Sequence, residues 1–117
     1  MIRDDQMDGM EDVIKIMRLL ADPTRLRVIT MLQTGEINVS SLCKQLSLAQ
    51  PTVSHHLGLL RAMGLVNTRR KGKQVFYSLN SNTVESLTDQ PGLVINAGSM
   101  QLRLTGTGNG SPLREAG

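Results

Sequence analysis

Apolar residues near the start of the chain recur at helical spacing. Met10, Val13, Ile14, Met17 and Leu20 fall at i, i+3, i+4, i+7 and i+10, which predicts a helix over roughly residues 8–20 with one apolar stripe. Asp8 and its acidic neighbours stand where a helix N-terminus favours negative charge. A second helix has a clearer start. Asp22 is a good N-cap, and Pro23 takes the first helical position, where its missing N–H costs nothing. Leu26, Ile29 and Leu32 then form an inward face, and Gly35 is placed to end the helix in the left-handed conformation.

Residues 36–38 read as a short extended link. Asn38 or Ser40 can cap a third helix carrying Leu42 and Leu46, and a turn at Ser47-Leu48-Ala49 leads into a fourth helix opened by Gln50-Pro51. Val53, Leu57, Leu60 and Met63 face inward along it, and Gly64 closes it. Two short helices joined so tightly make a helix-turn-helix. The period then changes to two: Val66 and Thr68 alternate with Asn67 and Arg69, and Val75, Tyr77 and Leu79 with Phe76 and Ser78. Arg70-Lys71-Gly72-Lys73 between these runs supplies a charged tip with the glycine that a tight hairpin needs. A hairpin placed directly after a helix-turn-helix is a wing.

Past residue 81 the pattern is weaker. Ser81 or Asn82 caps a short helix through Leu87, stopped by Pro91-Gly92. Leu93-Val94-Ile95 and Met100–Leu104 read as a hairpin around Asn96-Ala97-Gly98-Ser99. The expected organisation is a winged helix-turn-helix over residues 1–80, a C-terminal extension over 81–104 and a glycine-rich, disordered tail over 105–117. The fold class is mostly α with a small β component.

Composition narrows the chemistry. The 117 residues, 39% apolar, fill one core, and Phe76 and Tyr77 are the only aromatic side chains, so Leu, Ile, Val and Met must build it. No apolar run approaches the ~18 residues of a membrane span, and the start MIRDDQMDGM lacks the features of a secretory signal. These point to a soluble, cytoplasmic protein without membrane contact. The single Cys43 excludes an intrachain disulfide. The formal net charge of +3 conceals an asymmetry: residues 15–80 hold ten Lys and Arg against Asp22 and Glu36, while residues 1–14 are net −4. A basic folded core attracts a polyanion, and nucleic acid is the usual one. The bland reading of such charge, a solubilising surface, is left open by charge alone.

The fourth helix is polar where a DNA-reading helix needs to be. Gln50, Thr52, Ser54 and His55 crowd its first two turns, and in a helix-turn-helix these positions point at base edges in the major groove. Gln50 can pair bidentately with adenine, and Thr52 and Ser54 can serve bases or phosphates. Alone, such a helix start would be ordinary surface. The preceding helix, the tight turn and the basic wing argue otherwise. Arg69, Arg70, Lys71 and Lys73 crowd the wing, placed for flanking phosphates or the minor groove. Lys44, Arg25 and Arg27 are weaker candidates, each read more readily as plain surface.

His55 and His56 diverge by about a hundred degrees on a helix, so they do not grip one ion. His55 is assigned to DNA and His56 to partial packing. Cys43, between Leu42 and Leu46, reads as a small buried hydrophobe. Met7, Met10 and Met17 read as a packing or dimer face rather than a copper site. No Cys–His pair, carboxylate pair or phosphate loop stands in a catalytic context. The reading is therefore non-enzymatic, with no metal and no cofactor.

The pieces Ala21-Asp22-Pro23-Thr24-Arg25, Gln50-Pro51-Thr52-Val53-Ser54-His55-His56-Leu57 and Gly72-Lys73-Gln74-Val75-Phe76-Tyr77 stand in order within residues 20–80, about half the chain. This stretch resembles the ArsR/SmtB family of winged-helix repressors. The resemblance implies a homodimer on an imperfect palindrome of double-stranded DNA, released by an inducer, with Gln50, Thr52, Ser54 and His55 at the positions that the family uses on DNA. Two departures limit it. Asn38, Val39 and Ser40 stand where the arsenic- and cadmium-type members carry a Cys-x-Cys pair. Residues 81–104 contain no histidine, and Pro91-Gly92 breaks the long final helix that zinc-type members use, leaving a hairpin in its place. The inducer is thus unknown from the sequence. The rival reading is a winged-helix module that binds protein instead of DNA. The scarcity of aromatic residues, which protein interfaces favour at their centre, weighs against it.

Overall fold

The computed structural model describes residues 4–105, with side-chain surroundings from residue 9 onward. Four helices come first: α1 (Asp4–Leu20), α2 (Pro23–Leu32), α3 (Val39–Leu46) and α4 (Gln50–Ala62). A short strand β1 (Ile37–Asn38) lies between α2 and α3, and β2 (Val66–Lys71) and β3 (Gln74–Leu79) follow α4. The chain ends in β4 (Val84–Ser86), β5 (Gly92–Ala97) and β6 (Met100–Thr105). The strands form two antiparallel three-stranded sheets, ordered β1-β3-β2 and β4-β5-β6. This is a winged helix-turn-helix carrying a second small sheet. Thr105, expected to open the tail, ends β6, and the rest of that tail and the side chains of Met7 and Asp8 lie outside the described residues. Among those residues no helix is long and apolar enough to cross a membrane.

Helix starts follow the caps. Asp22 sits in extended conformation before α2, and its carboxylate accepts from the backbone N–H groups of Thr24 at 2.9 Å and Arg25 at 3.1 Å. Asn38, rather than Ser40, caps α3, accepting from the N–H of Ser41 at 2.7 Å. Gly35 does not end α2 as expected. The helix stops at Leu32 with Gln33 as its C-cap, and Gly35 sits beyond it at φ +134, outside the left-handed helical well.

The turn between α3 and α4 is made by Ser47 in the left-handed conformation, φ 55 and ψ 44. Its N–H reaches the carbonyl of Lys44 at 3.2 Å, and the N–H of Leu48 reaches that of Cys43 at 3.1 Å. Gly64 repeats this arrangement after α4 at φ 74, with Gly64 N–H to Arg61 carbonyl at 2.9 Å and Leu65 N–H to Leu60 carbonyl at 3.0 Å. These paired bonds satisfy helix-end carbonyls that would otherwise lack partners. Leu48 and Leu65, the residues that follow, turn back onto the core.

The core is continuous. Val28, Ile29, Leu42, Val53, Leu57, Leu60 and Leu65 are fully buried at the centre of the helices. Val13, Ile16 and Leu20 of α1 join them to Leu93, Ile95 and Ala97 of the second sheet. The predicted α1 stripe is therefore split: Val13 and Leu20 are buried with Ile16, while Met10, Ile14 and Met17 remain 38–46% exposed. The whole helix is apolar over a wide arc, and the C-terminal sheet covers only one edge of it. Leu26, expected to face inward, is 39% exposed, because α2 turns Val28, Ile29 and Leu32 to the core instead.

The short helix expected from Ser81 or Asn82 through Leu87 is absent. Asn80 takes that local role differently: its side-chain oxygen accepts from Asn82 N–H at 3.1 Å, and its carbonyl accepts from Thr83 at 2.9 Å and Val84 at 2.8 Å. Val84–Ser86 then pair with Ile95–Leu93 as a strand. Burial of Val84 against the sheet outweighs a local cap signal. The same Asn80 donates its side-chain amide to the Gly64 carbonyl at 2.9 Å, fastening the wing's end to the end of α4.

The two left-handed turns give a matched test. A Cβ at Gly64 would meet nothing within 4 Å, so Gly64→Ala carries only the conformational penalty and is expected to lower stability by about 1–2 kcal/mol. Ser47→Gly relieves the equivalent penalty and gains stability by up to about 1 kcal/mol after the glycine entropy is subtracted. Urea unfolding of both variants checks this, and equal losses in the two would contradict it.

Candidate DNA interface

Three neighbouring pieces make the candidate interface: α3, α4, and the wing formed by β2 and β3. Helix α4 is two-sided. Val53, Leu57 and Leu60 are completely buried, so the opposite stripe must face outward. At about 100° per residue that stripe runs through Pro51, His55 and Gly58, with Ser54 and Thr52 on its flanks. Gln50, Thr52, Ser54 and His55 are all exposed. Gln50 lies to one side, at the mouth of a cleft toward the wing.

His56 is half-buried, as the sequence suggested, and its partner is Arg25. Arg25 Nη1 lies 3.1 Å from His56 Nδ1, Nε donates to the Leu19 carbonyl at 2.6 Å, and Nη2 stands 4.0 Å from Asp22. A guanidinium can only donate, so Nδ1 presents its lone pair and the imidazole proton sits on Nε2. Arg25 is thus not plain surface. Its side chain, 15% exposed, ties the end of α1 and the start of α2 to α4. The Asp22 carboxyl is held below its ordinary range, first by the Arg25 backbone N–H and then by the Arg25 charge.

The wing is in register from Val66 opposite Leu79 to Lys71 opposite Gln74, leaving Gly72-Lys73 as a two-residue loop. Gly72 at φ 62 supplies the positive φ that such a hairpin requires at its first loop position. Arg70, Lys71 and Lys73 are exposed at the tip and form no ion pair among the described residues. Arg69 differs from them. It makes a two-pronged pair with Glu36, Nε to Oε2 at 3.1 Å and Nη2 to Oε1 at 2.7 Å, and its guanidinium lies 5.2 Å from the Phe76 ring centroid. Its hydrogen bond keeps the Glu36 carboxyl below the usual range, and Glu36 in turn raises the Arg69 pKa. The pair staples the wing to the link before α3. The structure thus leaves Gln50, Thr52, Ser54, His55, Arg70, Lys71 and Lys73 exposed, brings Gln50 and Lys73 to one cleft, and gives Arg69 an internal partner.

Gly58 escaped the sequence reading. It stands in the middle of α4, exposed, and a Cβ there would meet nothing within 4 Å. A mid-helix glycine costs about 1 kcal/mol relative to alanine, and no packing among the described residues requires it. An isolated glycine inside a helical pattern was the available signal. Cys43 is half-buried rather than enclosed and borders the cleft beside Gln50. Among the described residues no group of three His, Cys, Asp or Glu side chains converges to hold a metal ion.

Comparison with known proteins follows the same pieces. A family profile described as "Bacterial regulatory protein, arsR family" matches residues 22–68. Over 89 residues the chain is 37% identical to the biofilm growth-associated repressor of Xylella fastidiosa, a match covering 76% of this chain and 78% of that one. The crystal structure of the transcriptional repressor BigR from Xylella fastidiosa is similar at a TM-score of 0.58 and 40% identity, covering 68% of this chain and 81% of that chain. The solution structure of the homodimeric winged helix-turn-helix DNA-binding domain Mb0332 from Mycobacterium bovis is similar at a TM-score of 0.63 and 26% identity, covering 69% and 75%.

Proposed function

The chain belongs to the ArsR family of bacterial regulatory proteins, and from that premise we propose that it is a homodimeric repressor that binds a palindromic operator through α4 and the wing. The observation that carries the reading is the two-sided character of α4. A helix with its back fully buried offers Gln50, Thr52, Ser54 and His55 to the outside, and the wing tip carries Arg70, Lys71 and Lys73, which form no ion pair among the described residues. The α4 side chains serve base edges, and Gly58 lets the third turn of the helix approach the duplex without a Cβ. Arg70, Lys71 and Lys73 serve phosphates or the minor groove, while Arg69 holds the wing in position through Glu36. Such a protein acts in the cytoplasm, where the chromosome is. The relatives are regulators rather than enzymes, and the assigned residues bind without catalysing anything.

Base readers and phosphate binders separate by their response to sequence and salt. Gln50→Ala or His55→Ala is expected to cost about 1–3 kcal/mol on the operator and much less on random duplex. Gly58→Ala is expected to stabilise the fold by about 1 kcal/mol while weakening operator binding. Arg70→Ala or Lys71→Ala lowers the log–log salt slope by roughly 0.9 per contact on both DNAs. Fluorescence anisotropy across a salt series checks all of these. Equal losses on operator and random duplex in the α4 variants would remove sequence reading from this helix.

One short helix reads few bases, so two copies about 34 Å apart supply the missing specificity. The proposed seam is the exposed Met10, Ile14 and Met17 of α1, continued by Leu26 and by Leu102 and Leu104 of β6, which with Met17 line an apolar groove. In sedimentation, wild-type protein at micromolar concentration is expected to be a dimer and Ile14→Glu a folded monomer. A monomeric wild type, free and on DNA, would overturn the assignment.

A further inference from the structure

A cavity of about 360 Å³ opens on the same face as α4 and the wing but lies between them. Its walls come from the adjacent helices α3 and α4 and from the wing, more than twenty residues further along the chain. Ser40 and Lys44 lie on α3, Gln50 opens α4, and Lys73 comes from the wing loop, with Val39 and Val75 as apolar wall. Two features single it out. Both lysines are exposed and form no ion pair among the described residues, and no carboxylate lines the space. Glu36, the acid in the link before α3, is already committed to Arg69 of the wing through both of its oxygens. A concave site with two uncompensated ammonium groups and no acid attracts an anion. Lysine ammonium groups act on it as point charges with freely rotating donors, which suits an oxyanion of any orientation.

We propose that this cleft is an oxyanion-binding site, in which Lys44 and Lys73 hold one phosphate-like group from opposite walls and Gln50 and Ser40 donate to it. Lys44 thereby joins the functional surface. The anion has two sources with one chemistry: a backbone phosphate of bound duplex, or a free phosphate-bearing or carboxylate-bearing small molecule. The two are mutually exclusive at the site. A free anion there would engage Gln50 and Lys73, two residues assigned above to DNA, and would compete with the duplex directly. The site stands on the cavity and its charges, and only the identity of the anion's source rests on the DNA-binding reading.

The test uses the full 117-residue chain and inorganic phosphate as the probe, at constant ionic strength set with chloride. Amide shifts in a phosphate titration are expected to follow one saturating isotherm, centred on Ser40, Lys44, Gln50 and Lys73, and to vanish in Lys44→Ala and Lys73→Ala. Both substitutions are at exposed positions, and retained dispersion of the remaining resonances shows that the fold survives. A second arm measures the salt slope of duplex binding. A fall of roughly 0.9 per subunit in Lys44→Ala, equal on operator and random sequence, identifies a DNA phosphate as the occupant. An unchanged slope with a saturable phosphate isotherm identifies a free anion. Shifts that are linear, spread over every lysine or unaltered in both variants would overturn the site. Failure of the wild-type chain to bind any duplex would sink the DNA reading alone, because the phosphate isotherm would still decide the cleft.

Discussion

The structure depends on the complete burial of one side of α4. Val53, Leu57 and Leu60 have no exposed surface, and burying three such side chains contributes several kcal/mol on the order of 1.5–3 each. That anchoring allows the other side of the helix to carry polar residues and even an interior glycine, which on its own would disfavour a helix. It also sets the angle at which the polar side leaves the body. The tie from Arg25 to His56 and to the carbonyl of Leu19 adds a polar fastening at the rim of the same contact. The turns at Ser47 and Gly64 fix where α4 begins and where the wing leaves it. Function on this surface is thus a consequence of packing beneath it.

Much of this was legible in the sequence because the signals are local. Asp22-Pro23, Asn38, Gly64 and the alternation on either side of Gly72 each state a backbone geometry within a few residues, and all four elements formed where those signals stood. The failures share a cause in distant partners. The α1 stripe was drawn from periodicity alone, but which edge of a broad apolar arc is buried depends on Ile95 and Ala97, some eighty residues later. The helix expected after Ser81 lost to strand pairing with β5, again a distant partner. Leu26 and Ile29 look alike in periodicity, and only packing separates them.

The candidate site shows the same division. The polar start of α4 and the basic wing are local patterns and were readable. That Arg69 differs from its three basic neighbours was not, since Glu36 lies 33 residues away and a charge run gives no sign of which member is paired. Arg25 was mistaken for surface for the same reason: its partner His56 is 31 residues distant. The cleft behind Gln50 joins three elements and has no sequence signature at all. The family profile matches residues 22–68, so the part proposed for the C-terminal sheet in assembly rests on its own apolar groove rather than on the relatives.

We infer that the outward side of α4, together with the wing tip, is the surface that meets DNA. Amide chemical-shift mapping of the labelled chain, with and without a duplex drawn from its own promoter region, tests it most directly. The largest changes are expected at residues 50–58 and 70–73, with α4 shifts that differ between that duplex and a random one and wing shifts that do not. Changes centred instead on Met10, Ile14, Met17 and strand β6, with α4 unmoved, would contradict it.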